Sequence, residues 1–362
     1  NLLIIFGFKM RKKIEILHNK FGREDLEKQL ALENFERTTL SFYKYVIIED
    51  PFALRKKLYI EWEKLKVKGR IYVAHEGINA QLSCPKPNWD KFVKLVKSIK
   101  GFEDIPFKIA VEENQISFLK LAIKVKKQIV ADGLNNNEYD VTNVGKHLSA
   151  KEWNECMNNG ATVVDVRNHY ESRIGHFKGA LKPDVDTFRE ELPLIKEKLK
   201  DKKEEKILLY CTGGIRCEKT SSYLKHHGFK DVNQLHGGII DYAKQIKENN
   251  LENKFIGKNF VFDDRLGEKI SSDVIGTCDQ CGGPCDDYTN CNYVDCNLLF
   301  IQCKKCEEKY EGCCNNNCQK MSKLPKDEQS KIRKARKRPS LTSFKKSIRP
   351  QENIAERNIN SR

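Results

Sequence analysis

Between residues 38 and 131, apolar and polar positions switch between the two-residue period of a strand and the 3.6-residue period of a helix. TTLSFYKYVII (38–48) is rich in β-branched and aromatic residues and predicts a strand. PFALRKKLYIEWEKL (51–65) places Leu54, Leu58 and Trp62 on one helical face. GRIYVA (69–74) and INAQLS (78–83) predict strands on either side of a turn at His75, Glu76 and Gly77. NWDKFVKLVKSI (88–99) predicts a second amphipathic helix, and LAIKVKKQIV (121–130) a last strand. The order β-α-β-β-α-β predicts an α+β, ferredoxin-like domain over 38–131. That fold hosts many functions, RNA binding among them, so it selects none.

DGLNNNEYDVTNVGKHL (132–148) predicts a polar linker. From Ser149 the strand–helix alternation resumes. ATVVDVR (161–167) and KILLYC (206–211) are short apolar runs suited to buried parallel strands. Helical stretches at 187–200 and 217–227 complete an α/β domain over 149–250. Residues 251–320 form a cysteine-rich region. Residues 321–362 predict a disordered basic tail, and residues 1–37 an N-terminal extension.

Charge narrows the partners. The chain carries 66 basic and 51 acidic residues, a formal net of +15. From Lys320 to Arg362 there are fourteen Lys or Arg and four Asp or Glu, so 14 − 4 = +10 sits in the tail. An excess of this size favours a polyanion such as nucleic acid, against the alternative of a solvated basic surface. The apolar run Leu2 to Phe8 is too short to cross a bilayer. Lys9, Arg11, Lys12 and Lys13 follow it, the reverse of a signal peptide, and Met10 is a candidate start. The expectation is a cytoplasmic protein with no membrane partner.

Fourteen cysteines are distributed unevenly, ten of them between Cys278 and Cys318. A secreted disulfide scaffold spreads its cysteines through a short chain, so this clustering predicts metal binding in a reducing compartment. Cys278/Cys281 and Cys303/Cys306 are two Cys-x-x-Cys pairs at the separation of a structural zinc site. Cys285, Cys291, Cys296, Cys313, Cys314 and Cys318 are six further candidates, enough for a second site with two left over. Disulfides or an iron–sulfur cluster are the alternatives. Spacing does not say which cysteines share a metal.

The most informative stretch is KILLYCTGGIRCEKTSSYLKHHGF (206–229). A buried strand ends at Tyr210, and Cys211 opens a short loop before a helix that begins near Cys217. Open α/β sheets place their sites at such strand ends. Thr212, Gly213, Gly214 and Ile215 let successive amides converge as an anion cradle, the helix adds its positive end, and Arg216 adds a full charge. Each feature favours a thiolate at Cys211. The bland alternative is a buried cysteine before a turn. Cys217, one helical turn away, is a candidate resolving thiol or a filler. Cys84 and Cys156 are read as core residues.

This loop resembles the active-site loop of rhodaneses, and the resemblance extends over 149–245. VVDVRNHYESRIGHFKGAL (163–181) resembles the segment in which an Asp-x-Arg ends a strand and a Gly-His precedes a Gly-Ala. LHGGIIDY (235–242) resembles the closing Gly-Gly element. A cysteine phosphatase loop has five residues between Cys and Arg, whereas four intervene here, and the smaller cradle suits sulfur. In rhodaneses the loop cysteine carries a persulfide. Asp165 and Arg167 are expected to form a supporting ion pair, and His176 to be a hydrogen-bonded core histidine.

GRIYVAHEGINAQLS, CTGGIRCEK and the cysteine-rich CDQCGGPCDDYTNC with LLFIQCKKCEEKYEGCC occur in one order. Together they resemble the bacterial tRNA uridine(34) hydroxylase family, over about residues 38–320. The resemblance implies an acylphosphatase-like N-terminal domain, a rhodanese domain, molecular oxygen as co-substrate, and the anticodon loop of tRNA as partner. It implies that Cys211 is the active cysteine. The sequence carries no flavin or nicotinamide fingerprint and no two-His-one-carboxylate triad. Attack of a Cys211 thiolate on C6 of uracil and reaction of a Cys211 persulfide with oxygen are the two chemistries left open. A persulfide sulfurtransferase and a non-catalytic zinc and RNA-binding module are the rival readings.

Overall fold

The computed structural model describes Asn19 and residues 21–112, 117–134 and 139–335. The Leu2–Phe8 run, Met10 and the last part of the basic tail lie outside the described residues. Helix α1 (Arg23–Ala31) lies within the expected extension. The N-terminal domain then runs β1 (Arg37–Tyr45), α2 (Pro51–Lys64), β2 (Lys68–Ala74), β3 (Gly77–Pro85), α3 (Trp89–Lys97), β4 (Lys108–Ile109) and β5 (Leu121–Val125). Helix α2 starts where Asp50 accepts from the amides of Phe52 and Ala53, with Pro51 in its first turn.

The sheet order is β4-β1-β3-β2-β5. The first four strands give the ferredoxin-like arrangement, with one correction. Its closing strand is the short β4, paired antiparallel to β1 at Leu40 and Ser41. The 121–130 segment instead joins the opposite edge, parallel to β2, and ends as a strand at Val125. Beyond it Ile129 is tied off the sheet by Glu76, whose carboxylate accepts its amide at 2.6 Å. A two-residue strand has no periodicity to detect, which is why the longer apolar run took its place in the sequence reading.

Strand alternation divides this sheet into two unlike faces. Leu40, Phe42, Ile71, Val73, Ile78, Ala80 and Leu82 pack with Leu58, Trp62, Phe92 and Val96 of the helices. Both helices therefore cover one face. Ser41, Tyr43, Arg70, Tyr72, Asn79 and Gln81 take the alternate positions and point away from that core.

The second domain contains β6 (Lys146–Leu148), α4 (Ala150–Asn158), β7 (Thr162–Asp165), α5 (His169–Ser172), β8 (Gly175–Phe177), α6 (Phe188–Lys198), β9 (Lys206–Tyr210), α7 (Ile215–His226), β10 (Asp231–Leu235) and α8 (Gly238–Glu248). Its parallel sheet has the order β6-β10-β9-β7, so β9 is interior. Apolar clusters cover both faces, which explains the unbroken apolar run of KILLY. The expected linker is partly built in: β6 belongs to this sheet, and Asp132 and Tyr139 are buried.

Strand β11 (Phe255–Asn259) pairs with β8 and with β12 (Glu268–Lys269). The cysteine-rich region adds a hairpin, β13 (Tyr288–Asn290) and β14 (Leu299–Ile301), then α9 (Lys304–Tyr310) and α10 (Asn316–Ser322). It is held to the second domain by Arg173 on Asp279 at 2.6 Å and by the Tyr288 hydroxyl on the Tyr170 carbonyl at 2.8 Å. The basic tail is not featureless: α11 (Lys326–Ala335) forms there, with Lys326 on Glu24 and Arg333 on Asp295.

The open face of the N-terminal sheet is turned onto the second domain. Lys219 of α7, only 1% exposed, donates to Glu76 at 3.1 Å and to Asp132 at 2.9 Å. Removing the cation leaves two carboxylates in a dry contact. Lys219→Ala is expected to lower stability by about 3–5 kcal/mol, measured as the shift of the urea unfolding midpoint.

Candidate active site

Strand β9 delivers Cys211 to the end of the sheet, and the chain turns at Gly213 and Gly214 into α7. Gly214 has φ +97°, and a Cβ there would meet the Tyr43 hydroxyl at 2.9 Å. The Gly-Gly element of 235–242 closes the loop from behind. The amides of Ile239 and Ile240 donate to the carbonyls of Cys211 and Thr212 at 3.1 and 3.2 Å. Gly238, at φ +69°, would place a Cβ 2.6 Å from the Cys211 carbonyl oxygen. Only glycine allows that approach.

The loop is arranged around one sulfur. The Gly214 amide donates to Cys211 Sγ at 3.1 Å. Burial opposes charge on Cys211, but the Cys217 thiol, the Arg216 guanidinium and the amides of Cys217 and Arg216 outweigh it. The thiol is thereby lowered to about 5. Cys217 is driven the other way by burial and by the neighbouring sulfur, so it stays a thiol and donates to Cys211.

Arg216 is fixed by Glu171 of α5 through two bonds of 2.6 and 2.8 Å, with the carboxylate fully buried. Thr212 contributes its hydroxyl, 3.4 Å from Glu171, and Ile215 its carbonyl, which accepts from Tyr45 at 3.4 Å. Glu191 of α6 is buried with no hydrogen-bond partner among the described residues, and burial raises its carboxyl well above the usual range.

Asp165 and Arg167 form a fully buried two-bond pair at 2.8 and 2.7 Å. Arg167 also donates to the Gly175 carbonyl at 2.7 Å, and Tyr210 donates to Asp165 at 2.7 Å. This network anchors the ends of β7, β8 and β9 without reaching Cys211. His176 bonds the Ser172 carbonyl through Nδ1 and faces Lys182 through Nε2. It does not line the cavity above Cys211. Cys84 is buried in the N-terminal core, and Cys156 packs at the edge of the second.

A cavity of about 320 Å³ lies over the sulfur. Its floor is Cys211, Thr212, Gly213 and Arg216, and its roof is Tyr43, Tyr72, Arg70, Asn79 and Gln81. Sequence reasoning missed every roof residue, and Glu171 as well. The roof had a signal: polar and aromatic residues stand at every second place of TTLSFYKYV, GRIYVA and INAQLS. Glu171 had none until the fold brought it to Arg216.

The cysteine-rich region gathers two sulfur quartets. Cys278, Cys281, Cys303 and Cys306 form one, and Cys291, Cys296, Cys314 and Cys318 the other, each with sulfurs within 4.8 Å of one another. Cys281–Cys303 and Cys296–Cys314 are 3.7 Å apart, and Cys314–Cys318 3.6 Å. A tetrahedron of thiolates at about 2.3 Å from zinc has edges of about 3.8 Å. Both donor sets therefore fit a tetrahedral metal. Cys285 and Cys313, counted among the candidate ligands, belong to neither quartet. Cys285 packs against Ile174 and Phe260 in an apolar cluster, and the Cys313 thiol faces Ser322.

Comparison with known proteins covers most of the chain. Residues 37–129 match the UPF0176 acylphosphatase like domain, 149–245 the rhodanese-like domain, and 256–319 the rhodanase C-terminal family. A tRNA uridine(34) hydroxylase of Leptospira interrogans is 58% identical over 335 residues, 92% of this chain and 91% of that protein. Proteins of the same name from Pectobacterium atrosepticum and Yersinia pestis are 50% and 48% identical. They are matched over 89% and 92% of this chain, and over 91% and 94% of their own lengths.

The electrostatics of the loop set an expected outcome. Alkylation of Cys211 by iodoacetamide, followed by peptide mass spectrometry, should rise with pH about a midpoint of about 5. Arg216→Met should move that midpoint upward, because it removes a charge that favours the thiolate. A wild-type midpoint near the ordinary thiol value of about 8.5 would contradict this account.

Proposed function

The chain belongs to the tRNA uridine(34) hydroxylase family, and on that premise we propose that it converts the wobble uridine of tRNA to 5-hydroxyuridine, with oxygen as co-substrate and Cys211 as nucleophile. The observation that carries the reading is the sulfur held as a thiolate at the floor of a cavity of about 320 Å³. The roof is suited to a splayed pyrimidine. Tyr43 and Tyr72 offer rings for stacking, and the Asn79 and Gln81 amides offer donors and acceptors to its edge. A wobble base is unpaired in the free anticodon loop, so moving it into such a cavity costs little. Arg70, exposed beside the cavity, suits the adjoining phosphate.

Uracil is electrophilic at C6. Addition of the Cys211 thiolate there makes C5 electron-rich, the polarity needed for C5 to take up oxygen. Arg216 and the loop amides hold the sulfur's charge before addition and receive it again on release. Asp165 and Arg167 act as positioning residues for the strand ends, and His176 is a core histidine. Cys217 is a hydrogen-bond donor to the sulfur. The alternative of sulfur transfer draws on the same loop, whose Gly214 amide would also serve a persulfide.

The two quartets are proposed to hold zinc as structural staples. The region supplies few apolar residues for a core of its own, and a metal then carries the fold. No helix among the described residues is long and apolar enough to cross a membrane.

Two measurements check this reading. Nucleoside mass spectrometry of tRNA from cells lacking the protein should show loss of 5-hydroxyuridine derivatives, restored by wild type and not by Cys211→Ser. Unchanged tRNA together with thiosulfate–cyanide turnover would favour sulfur transfer. Elemental analysis of the purified protein should give two zinc ions per chain, one after Cys281→Ser, and still two after Cys285→Ser or Cys313→Ser.

A further inference from the structure

The roof of the cavity is wired to the surface. The Tyr43 hydroxyl, above Gly214, donates to Glu218 Oε1 at 2.9 Å. The same carboxylate oxygen lies 3.0 Å from Nε2 of His147. The Gln234 amide donates to Glu218 Oε2 at 3.0 Å and fixes the carboxylate plane. The contacts end at an exposed side chain. Tyr43 lines the cavity, the Glu218 side chain is 13% exposed, and the His147 side chain is 38% exposed. The line crosses the domain boundary, with Tyr43 on β1, Glu218 on α7 and His147 on β6.

We propose that Tyr43, Glu218 and His147 form a proton relay that carries the C5 proton of the substrate uridine from the cavity to solvent. The proposal rests on the hydroxylase reading above. C5 takes up O2 and, after protonation, carries a hydroperoxide. A thiol reductant, two RSH going to one disulfide, reduces it to a hydroxyl with loss of water. C5 of the Cys211 adduct then bears both a hydroxyl and a hydrogen. Product forms when the C5–H electron pair becomes the C5=C6 bond and the C6–S pair returns to sulfur as thiolate. The proton released from C5 goes to the Tyr43 oxygen as that hydroxyl gives its own proton to Glu218. His147, neutral with its proton on Nδ1, takes the proton from Glu218 at Nε2, and the imidazolium so formed loses a proton to water. No oxidant enters this step, and the charge is balanced by the regenerated thiolate.

The surroundings suit a concerted transfer. Burial and the adjacent carboxylate hold Tyr43 protonated, so it passes a proton without resting as phenolate. Burial disfavours charge on Glu218, but protonated His147, Gln234 and Tyr43 keep it ionised; loss of the His147 proton to solvent leaves Nε2 open to receive the next one. The Lys108 ammonium lies 4.3 Å over the Tyr43 ring. A latch between domains would need only Tyr43 and Glu218. His147 lies outward of both, so it separates a relay from a latch.

The test is turnover of a tRNA anticodon-loop substrate by the full chain, read as 5-hydroxyuridine by mass spectrometry. His147→Ala should lower kcat by about 100-fold, the lower range for a proton-transfer group, with KM for tRNA unchanged. Imidazole in the buffer should restore much of the rate, because the vacated position opens to solvent. Tyr43→Phe should lower kcat without rescue by imidazole. With uridine deuterated at C5, the isotope effect on kcat should be larger in His147→Ala than in wild type. Full activity of His147→Ala, or a loss that imidazole does not recover, overturns the relay alone. Absence of product with wild type overturns the hydroxylase reading and the relay with it.

Discussion

A buried negative charge on sulfur is the constraint around which the second domain is organised. Desolvation alone would keep Cys211 protonated. Lowering its thiol from 9.0 to about 5 is worth roughly 5 kcal/mol in favour of the charged form. That stabilisation comes from a few fixed donors and one guanidinium, each needing its own support. Arg216 would relax toward water without Glu171. The loop amides would diverge without the Ile239 and Ile240 bonds behind them, and these require the bare backbone of Gly238. Beneath the loop, Asp165, Arg167 and Tyr210 fix the strand ends from which it springs.

The N-terminal domain completes the site rather than standing beside it. A ferredoxin-like sheet with both helices on one side leaves its other side without a partner. Here that side becomes the ceiling over the sulfur, with Lys219, Glu76 and Asp132 closing the contact. Most of the polar and aromatic groups lining the roof of the cavity thus come from one domain, and the sulfur at its floor from the other.

What the sequence disclosed depended on the range of each interaction. The Cys211 loop was legible because its parts lie within a few residues, where glycines, a cation and a helix start act locally. The ferredoxin-like order was legible from strand and helix periods. The edge strand at Lys108–Ile109 was not, because two residues carry no period. The partner of Arg216 was not, because Glu171 reaches it only through the fold. The roof was half legible: alternation in β1, β2 and β3 marked a second polar face without saying what it would meet. Clustered cysteines marked candidate metal ligands, but grouping them into quartets required the hairpin of β13 and β14.

That hairpin has a topological consequence. Along the chain the quartets alternate by pairs: 278 and 281 with 303 and 306, and 291 and 296 with 314 and 318. The segment between the two pairs of each quartet carries half of the other. An ion held by either set would tie down the segment that aligns the other. Filling one set would therefore favour filling of the other, while each set keeps four ligands of its own.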